Sequence, residues 1–397
     1  MVNQGAKMLA GLSCALLLLV MTQQSIPYGT GFAQQSVGAY SVVALREIAS
    51  ADESALTLIT LHMKDATTEA VYGEIARQAK LQIVAATGNR PPRANVNIDV
   101  ERQPFWKIMH QLAGQTGMAP LSLPFGQREV RLNYNPNWAK APSNYSGCAL
   151  YVVNSISFNQ NVSYIVQGQD RSSLDLTIDT YIDPIIDVLQ VMGLRLDEAL
   201  DENGVSLRNY QRPVPDASWG AFGPSRVRAQ LAWLPTIGKR IVRLRGAVQI
   251  AQCTKRETWE IGDIQNAKDV VRKFSHGTYT VKGLGSREAD SASFYVKVQI
   301  QPSANLQYTD PLIHINALHD IRLLDASGQA YMTGGGGGGG AGGLLEYTIN
   351  FRNQGKDGQV LGPPSKFIWE IPIAMKELVV PLELNDISLP PIGAVRK

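Results

Sequence analysis

A short strand–helix–strand pattern occurs twice in this chain, 37 residues apart. When residues 61–81 are written above residues 98–118, the apolar positions of the two amphipathic segments coincide. The aligned pairs are Val71 with Ile108, Ile75 with Leu112, Gln78 with Gln115, and Leu81 with Met118. A pattern that returns at a fixed offset is typical of a reused supersecondary unit. The sequence therefore predicts a small duplicated α/β module over residues 56–133.

Helical periodicity and capping residues place the elements of each copy. Apolar residues at i, i+4 and i+8 predict a buried helix face of Val71, Ile75 and Ala79. In the second copy Pro104 stands at the predicted first helical position, and Gly117 ends the helix. The second buried stripe consists of Phe105, Ile108, Met109 and Leu112. The predicted elements are strands 56–63, 81–85, 96–100 and 129–133, with helices 67–79 and 104–116.

The N-terminal residues 1–33 have the pattern of a secretory signal peptide. Lys7 supplies the positive charge, residues 8–21 are apolar, and Gly31-Phe-Ala33 fits a cleavage site. An uncleaved membrane anchor is the alternative, although the apolar run is shorter than a spanning helix needs. Residues 34–55 are interpreted as a tether. An exported protein with no further membrane span is expected.

The character of the sequence changes after a Pro/Asn/Ser-rich stretch, 134–147, which is interpreted as a linker. Short runs of alternating apolar and polar residues then recur between turn signals, as expected of antiparallel β-sandwiches. The predicted fold class is an α+β N-terminal module followed by mostly antiparallel β-sandwich domains. The predicted divisions are a first sandwich at 148–262, a second at 263–384, and a tail at 385–397. Within the second, the glycine-rich segment 334–343 is predicted to be a flexible hairpin loop.

The chain lacks the residue spacings of common catalytic and metal sites. Its histidines have no zinc-site spacing, and no serine lies in a nucleophile elbow. Asp201-Glu-Asn-Gly204 predicts a turn rather than a calcium loop. Aspartates recurring every fourth residue predict a solvated strand edge, since their spacing is too wide to share one ion. They are Asp175, Asp179, Asp183 and Asp187. We expect no catalytic residues, no metal, no cofactor and no enzyme activity.

Two pairs of residues stand out as candidate features. Cys148 and Cys253 remain after signal cleavage, and either a disulfide or two buried free thiols fits an exported protein. Trp219 and Phe222 lie in a proline-flanked loop that is a candidate ligand surface for polysaccharide, with local packing as the alternative. The formal net charge of +3 is too small to indicate nucleic acid as a partner.

The duplicated unit resembles the short N-terminal domain shared by bacterial secretins and TonB-dependent receptors. Leu61-His-Met-Lys-Asp-Ala66 and Gln115-Thr-Gly-Met118 carry the likeness, whereas Ala79-Lys80 departs from the Thr-Gly expected in the first copy. The whole layout also resembles uncharacterised exported proteins of planctomycete-type bacteria. In secretins and receptors the module is a periplasmic docking piece, so the resemblance implies protein–protein contact.

These observations predict a non-enzymatic exported protein of the periplasm or cell envelope. The duplicated module would dock an envelope protein or associate with a second copy, and the sandwiches would serve as spacers or adhesion modules. The alternative is a polysaccharide-binding or other ligand-binding β-sandwich protein. An enzyme with a dispersed active site is a third hypothesis, because sandwich folds can carry catalytic residues on loops.

Overall fold

Most of the described chain is β-strand, and the strands pair antiparallel with one exception. The computed structural model describes residues 56–85, 95–122, 129–161, 171–208, 225–234, 236–287, 290–303, 318, 320–341, 343–355 and 358–389. These residues belong to one compact unit, Ile48–Lys397. The prediction of a mostly antiparallel β protein is confirmed. The predicted signal segment 1–33 and tether 34–55 lie outside the described residues.

The N-terminal part alternates strands and helices. Its elements are β1 (Leu58–Thr67), α1 (Thr68–Ala79), β2 (Gln82–Ala85), β3 (Asn95–Pro104), α2 (Phe105–Thr116), β4 (Met118–Ser122) and β5 (Glu129–Tyr134). The hydroxyl of Thr67 caps α1 by accepting a hydrogen bond from the Ala70 N–H at 3.2 Å. Pro104 is the N-cap of α2, so this helix begins one residue later than predicted. Both helices end in a left-handed residue, Lys80 in α1 and Gly117 in α2.

β1 and β3 form a two-stranded antiparallel sheet whose register preserves the 37-residue offset. His62 pairs with Asp99, its own equivalent in the second copy, so a local two-fold axis passes through this pair. The bulges obey the same relation: Asp65 has a φ of 51° and its equivalent Arg102 a φ of 46°. The two copies are therefore related in backbone geometry as well as in sequence.

A three-stranded sheet of order β2-β5-β4 completes this part, with β2 parallel to β5 and β4 antiparallel to it. Both helices contact strands of the two sheets. The predicted apolar stripes are buried between them, including Val71, Ile75, Ile108 and Leu112. We call this cluster the module core. It also contains Leu150, Val152 and Tyr181 from the following strands, so the module is packed against them.

Thirteen further strands are described in the remainder of the chain. They are β6 (Ser143–Ser146), β7 (Ala149–Asn161), β8 (Arg171–Ile182), β9 (Val188–Asp201), β10 (Ser225–Ala232), β11 (Arg240–Ile261), β12 (Lys268–Phe274), β13 (Gly277–Arg287), β14 (Asp290–Pro302), β15 (Ile321–Asp325), β16 (Met332–Ala341), β17 (Leu344–Arg352) and β18 (Pro364–Ser388). They form three sheets, of order β10-β8-β7-β6, β15-β18-β11-β9 and β12-β13-β14-β17-β16.

The central sheet β15-β18-β11-β9 is shared by two sandwiches. The first half of β11 and the second half of β18 pack on β7 and β8, forming the first sandwich core. The second half of β11 and the first half of β18 pack on β13, β14 and β17, forming the second sandwich core. β11 and β18 pair along their whole length, from Arg240 opposite Ser388 to Ile261 opposite Phe367. The two sandwiches are therefore joined by continuous strands.

The two sandwiches also repeat one plan at an offset of about 124 residues. Asp201 ends β9 and Asp325 ends β15, and each carboxylate closes the following turn by accepting two backbone N–H groups at 2.7–2.9 Å. Each turn contains a left-handed glycine, Gly204 or Gly328. The flanking sheets have the same strand order, with β16 as an additional edge strand of the second.

Several predicted divisions differ from this arrangement. The predicted linker 134–147 contains a 3₁₀ turn at Trp138–Lys140 and β6, and Trp138 is buried in the module core. A boundary at 262 does not separate the sandwiches, because β18 returns to the first core. Ile387, in the predicted tail, is buried in that core. Local turn signals cannot show that a late strand pairs with an early one.

The glycine-rich segment predicted to be a flexible loop forms β16 instead. Gly336 to Ala341 pair in register with β17. The side chains of Tyr347 and Leu345 lie over Gly338 and Gly340, where a Cβ atom would be only 2.2 and 2.7 Å away. The backbone hydrogen bonds and these two side chains offset the entropy that glycine loses on ordering.

Candidate interaction surface

The outward face of the three-stranded sheet exposes large apolar side chains. Val84 is 36% exposed and Leu121 48%, and they are two of the seven exposed large hydrophobic residues in the described chain. Arg131 is opposite Val84 of β2 and Ser122 of β4, next to Leu121, and it pairs with Glu129 at 2.7 Å. Apolar side chains around a partly neutralised arginine are typical of a protein-binding surface. We call these three residues, Val84, Leu121 and Arg131, the module patch.

The outer edges of the β1–β3 sheet are each occupied by a glutamine side chain. The amide of Gln78 accepts from the Thr60 N–H at 3.0 Å and donates to the Thr60 carbonyl at 2.8 Å. Gln115 makes the same two hydrogen bonds with Asn97, at 3.3 and 3.2 Å. Each amide takes the donor and acceptor that a neighbouring strand would use. These clamps protect both edges against strand addition.

The two helices differ in what covers their outer faces. In α2, the Trp106 indole N–H donates to the Ile182 carbonyl at 2.8 Å, and its ring lies 5.0 Å from that of Tyr181. The equivalent residue in α1 is Glu69, which is exposed. Helix α2 is thus fixed to the first sandwich, whereas the corresponding face of α1 is exposed.

The exposed face of α1 is polar. Glu74 pairs with Arg77 through two hydrogen bonds, at 2.6 and 2.8 Å, and accepts a third from Gln78. These bonds, led by the one from Arg77, lower the pKa of Glu74 to about 2. Because the pair is at the surface, it adds little stability. α1 offers charge but no apolar anchor, so the module patch is the stronger candidate for docking.

The four aspartates predicted to form a solvated edge instead have separate partners. Asp179 and Asp183 are 5% and 1% exposed, so the prediction of a solvated edge is wrong for them. Asp183 accepts hydrogen bonds from Thr57, which joins the start of β1 to the first sandwich. The partners are Asn159 for Asp175, Arg226 and Asn154 for Asp179, Thr57 for Asp183, and Arg256 for Asp187.

Arg256 connects the two sandwiches at the centre of the shared sheet. It donates to both carboxylate oxygens of Asp187 at 2.6 and 2.8 Å, and its third nitrogen contacts Asp320. Burial, aided by the charges of Asp187 and Glu370, raises the pKa of Asp320 to about 6 against the attraction of Arg256. The cluster is a structural joint. The described residues contain no group of three or more His, Cys, Asp and Glu side chains able to hold a metal ion.

The two cysteines are free thiols in the structure, so the disulfide considered above is absent. Cys148 lies in the first sandwich core, and Cys253 packs with Leu189 and Ala251 in a separate small cluster. Burial raises the pKa of Cys148 to about 12 and that of Cys253 to about 11. Both thiols are therefore protonated and unreactive at neutral pH.

The remaining predicted features have varied outcomes. Trp219 and Phe222, the candidate polysaccharide loop, lie outside the described residues, as do His314 and His319. Asp201 forms the predicted turn with Gly204. Neither described helix is long and apolar enough to cross a bilayer.

Sequence reasoning missed the roles of the glutamine clamps and of the Asp201 and Asp325 turns. Gln78 and Gln115 were visible as an aligned pair, and a polar residue kept at the same offset was the signal for a shared role. The turns share a Leu-Asp-x-x-Gly pattern, which starts at Leu200 and again at Leu324. This second repeat was hidden because loops of different length separate its strands.

The chain was compared with protein-family models, curated proteins and solved structures, and no match was found in any of the three.

Proposed function

We propose that this chain is a non-enzymatic, exported protein of the cell envelope that docks a protein partner through its duplicated α/β module. The observation that carries the proposal is the module patch, where Val84 and Leu121 are exposed beside Arg131 on one sheet. Exposed apolar side chains cost solvation free energy unless a partner covers them. The predicted signal peptide and the resemblance of the repeats to a periplasmic docking domain favour the same function.

The attachment of the second repeat supports this proposal. Trp106 and Phe105 are fully buried, and Trp106 is bonded to the first sandwich. A patch held by such an anchor has a fixed orientation, which reduces the entropy lost on binding. The sandwiches would then act as spacers that hold the module at a fixed distance from the opposite end of the protein. A second copy of the chain is the alternative occupant of the patch.

The test is in-cell cross-linking followed by capture of the mature protein. The Val84→Lys/Leu121→Lys double variant should reduce the recovered partner at least about tenfold, or about 1.4 kcal/mol, because two lysine charges would have to be desolvated in an apolar contact. These positions are already exposed, so the fold should be unaffected. Deletion of the whole module is less informative, since it would uncover the buried Leu150, Val152 and Tyr181.

Val271→Lys/Val360→Lys is the matched control. Val271 and Val360 are 54% and 76% exposed and belong to the second sandwich, away from the module. The control should capture the partner as well as the wild-type protein does. Equal losses from both double variants, or from neither, would refute docking through the module patch. A cross-linked product containing only this chain would identify a second copy as the occupant.

A further inference from the structure

The free edge of β16 is unusual among the edge strands of the described sheets. Edge strands are commonly protected against added strands by charge, proline or short length. Charged residues lie on the long edge strands β12 (Lys268, Asp269, Arg272, Lys273), β10 (Arg226, Arg228) and β9 (Arg195, Asp197, Glu198). β1 and β3 hold the glutamine clamps, and β2, β4, β6 and β15 have only four or five residues. β16 has ten residues with no charge and no proline. A bulge between Thr333 and Gly336 leaves the run to Ala341 regularly paired.

The alternate glycines of β16 are needed for different reasons. On the face toward the second sandwich core, Gly338 and Gly340 make room for Tyr347 and Leu345 of β17. On the opposite face, a Cβ atom at Gly337 or Gly339 would meet no atom within 4 Å, and neither residue has a left-handed φ. Packing within the chain does not require glycine at these two positions. A glycine inside a strand often marks the close approach of another chain.

We propose that the outer edge of β16 is a strand-docking site for an extended protein segment. The pairing of β17 with β16 is the example of how a strand packs on polyglycine. On the core-facing side, Tyr347 and Leu345 of β17 lie over Gly338 and Gly340 of β16. A segment added at the free edge would do the same on the outer face, over Gly337 and Gly339. Its residues toward the core would be small, because Tyr347 and Leu345 occupy that side.

The chemistry of the site therefore specifies its partner. Main-chain hydrogen bonds supply the affinity, and an alternation of bulky and small side chains supplies the selectivity. The fitting segment is uncharged at its centre and free of proline. This site is distinct from the module patch, so it stands whether or not the module docks a partner.

The test uses the full mature protein and a nine-residue peptide that alternates serine and tyrosine, with lysines at its ends. Fluorescence anisotropy should show saturable binding with a dissociation constant on the order of 10–100 µM, as a short added strand would give. The Gly337→Lys/Gly339→Lys variant should bind at least about tenfold more weakly, because its side chains cover the outer face. A peptide with proline at its centre should not bind.

Gly337→Ala/Gly339→Ala is the control for the loss of glycine itself, and it should weaken binding less than the lysine pair does. Thermal unfolding of each variant checks that β16 remains folded. Failure of the wild-type protein to bind the tyrosine peptide would overturn the proposal. Equal binding by the wild type and a folded Gly337→Lys/Gly339→Lys variant would also overturn it. A third contrary result would be sedimentation showing that wild-type chains form a dimer that the same variant does not form, because the edge would then pair with a second copy.

Discussion

The two α/β repeats share their backbone geometry and differ in what covers their helices. Both have the glutamine clamp, the bulge with a positive φ and the left-handed helix end at equivalent positions. The helix faces differ: Trp106 and His110 of α2 contact the rest of the protein, whereas their equivalents Glu69 and Gly73 of α1 are exposed. Features that build the unit are kept in both copies, and the helix side chains that attach it to the first sandwich are present in one.

This difference suggests a division of roles between the copies. The second repeat joins the module to the first sandwich, so seven of the twelve residues of its helix are buried, against four of twelve in α1. The first repeat is joined to the first sandwich at Thr57, before β1, and it leaves the outer face of α1 and the strand β2 open to solvent. A duplicated unit can in this way be attached at one face and available at another.

Trp106→Ala should give the largest effect and test the anchor directly. Removing this fully buried ring and its hydrogen bond to Ile182 should lower the free energy of unfolding by about 3–5 kcal/mol. The equivalent substitution in the first repeat, Glu69→Ala, should cost less than about 1 kcal/mol because the side chain is exposed. Urea unfolding followed by tryptophan fluorescence and circular dichroism measures both. Similar losses from the two variants would show that the repeats are equally embedded.

Exchanging the helix ends should have opposite effects in the two copies. Gly117→Ala places a Cβ atom 2.7 Å from the Tyr134 ring at a φ of 69°, so we expect a loss of about 2 kcal/mol. Lys80→Gly relieves a left-handed lysine and should gain up to about 1 kcal/mol. Differential scanning calorimetry measures both shifts. If Lys80→Gly lowers the unfolding temperature, the left-handed conformation is not a source of strain in the first copy.

The repeats were predictable because their signals are local. Apolar residues such as Val71 and Ile108 recur at helical spacing, and Gly117 has the ordinary preference of a helix end. The roles of Gln78 and Gln115 were not, because each depends on a strand 18 residues earlier whose backbone edge the sequence does not mark. The exposed apolar residues of the module patch were also invisible, since periodicity does not identify an uncovered face.

The β half was harder because its defining contacts are distant in sequence. Alternation identified many of the strands, but the pairing of β11 with β18 joins residues more than a hundred positions apart. The buried Asp179 and Asp183 were assigned to solvent for the same reason, since their partners come from elsewhere in the chain. In the glycine-rich segment, the low strand propensity of glycine favoured a loop, but pairing with β17 makes the segment a β-strand.

The two glutamine clamps allow a finer comparison of the copies. Gln78→Ala should cost about 1 kcal/mol, because it leaves a partly buried Thr60 N–H and carbonyl without a partner. Gln115→Ala should cost about half as much, since its bonds to Asn97 are longer and more exposed. Amide hydrogen exchange at Thr60 and Asn97 reports each loss locally. Unchanged exchange at Thr60 in the first variant would rule out the clamp as the protection of that edge.

His110 has no titratable equivalent in the first repeat and should add a small pH dependence to the second. It packs against the Trp138 ring at 5.0 Å and contacts the Ser143 hydroxyl, and burial lowers its pKa below the usual 6.5. A depressed pKa means that the folded state favours the neutral ring. Its contribution is therefore complete above about pH 6.5 and is lost as the pH falls through the folded-state pKa. Urea unfolding at pH 7.5, 6.5 and 5.5 should show the wild type losing stability relative to His110→Asn only toward the acid end. If the free energies of unfolding of the two proteins change with pH in parallel, the imidazole is solvated in the folded state. The contact of α2 with Trp138 and Ser143 would then be looser than the burial of Trp106 suggests.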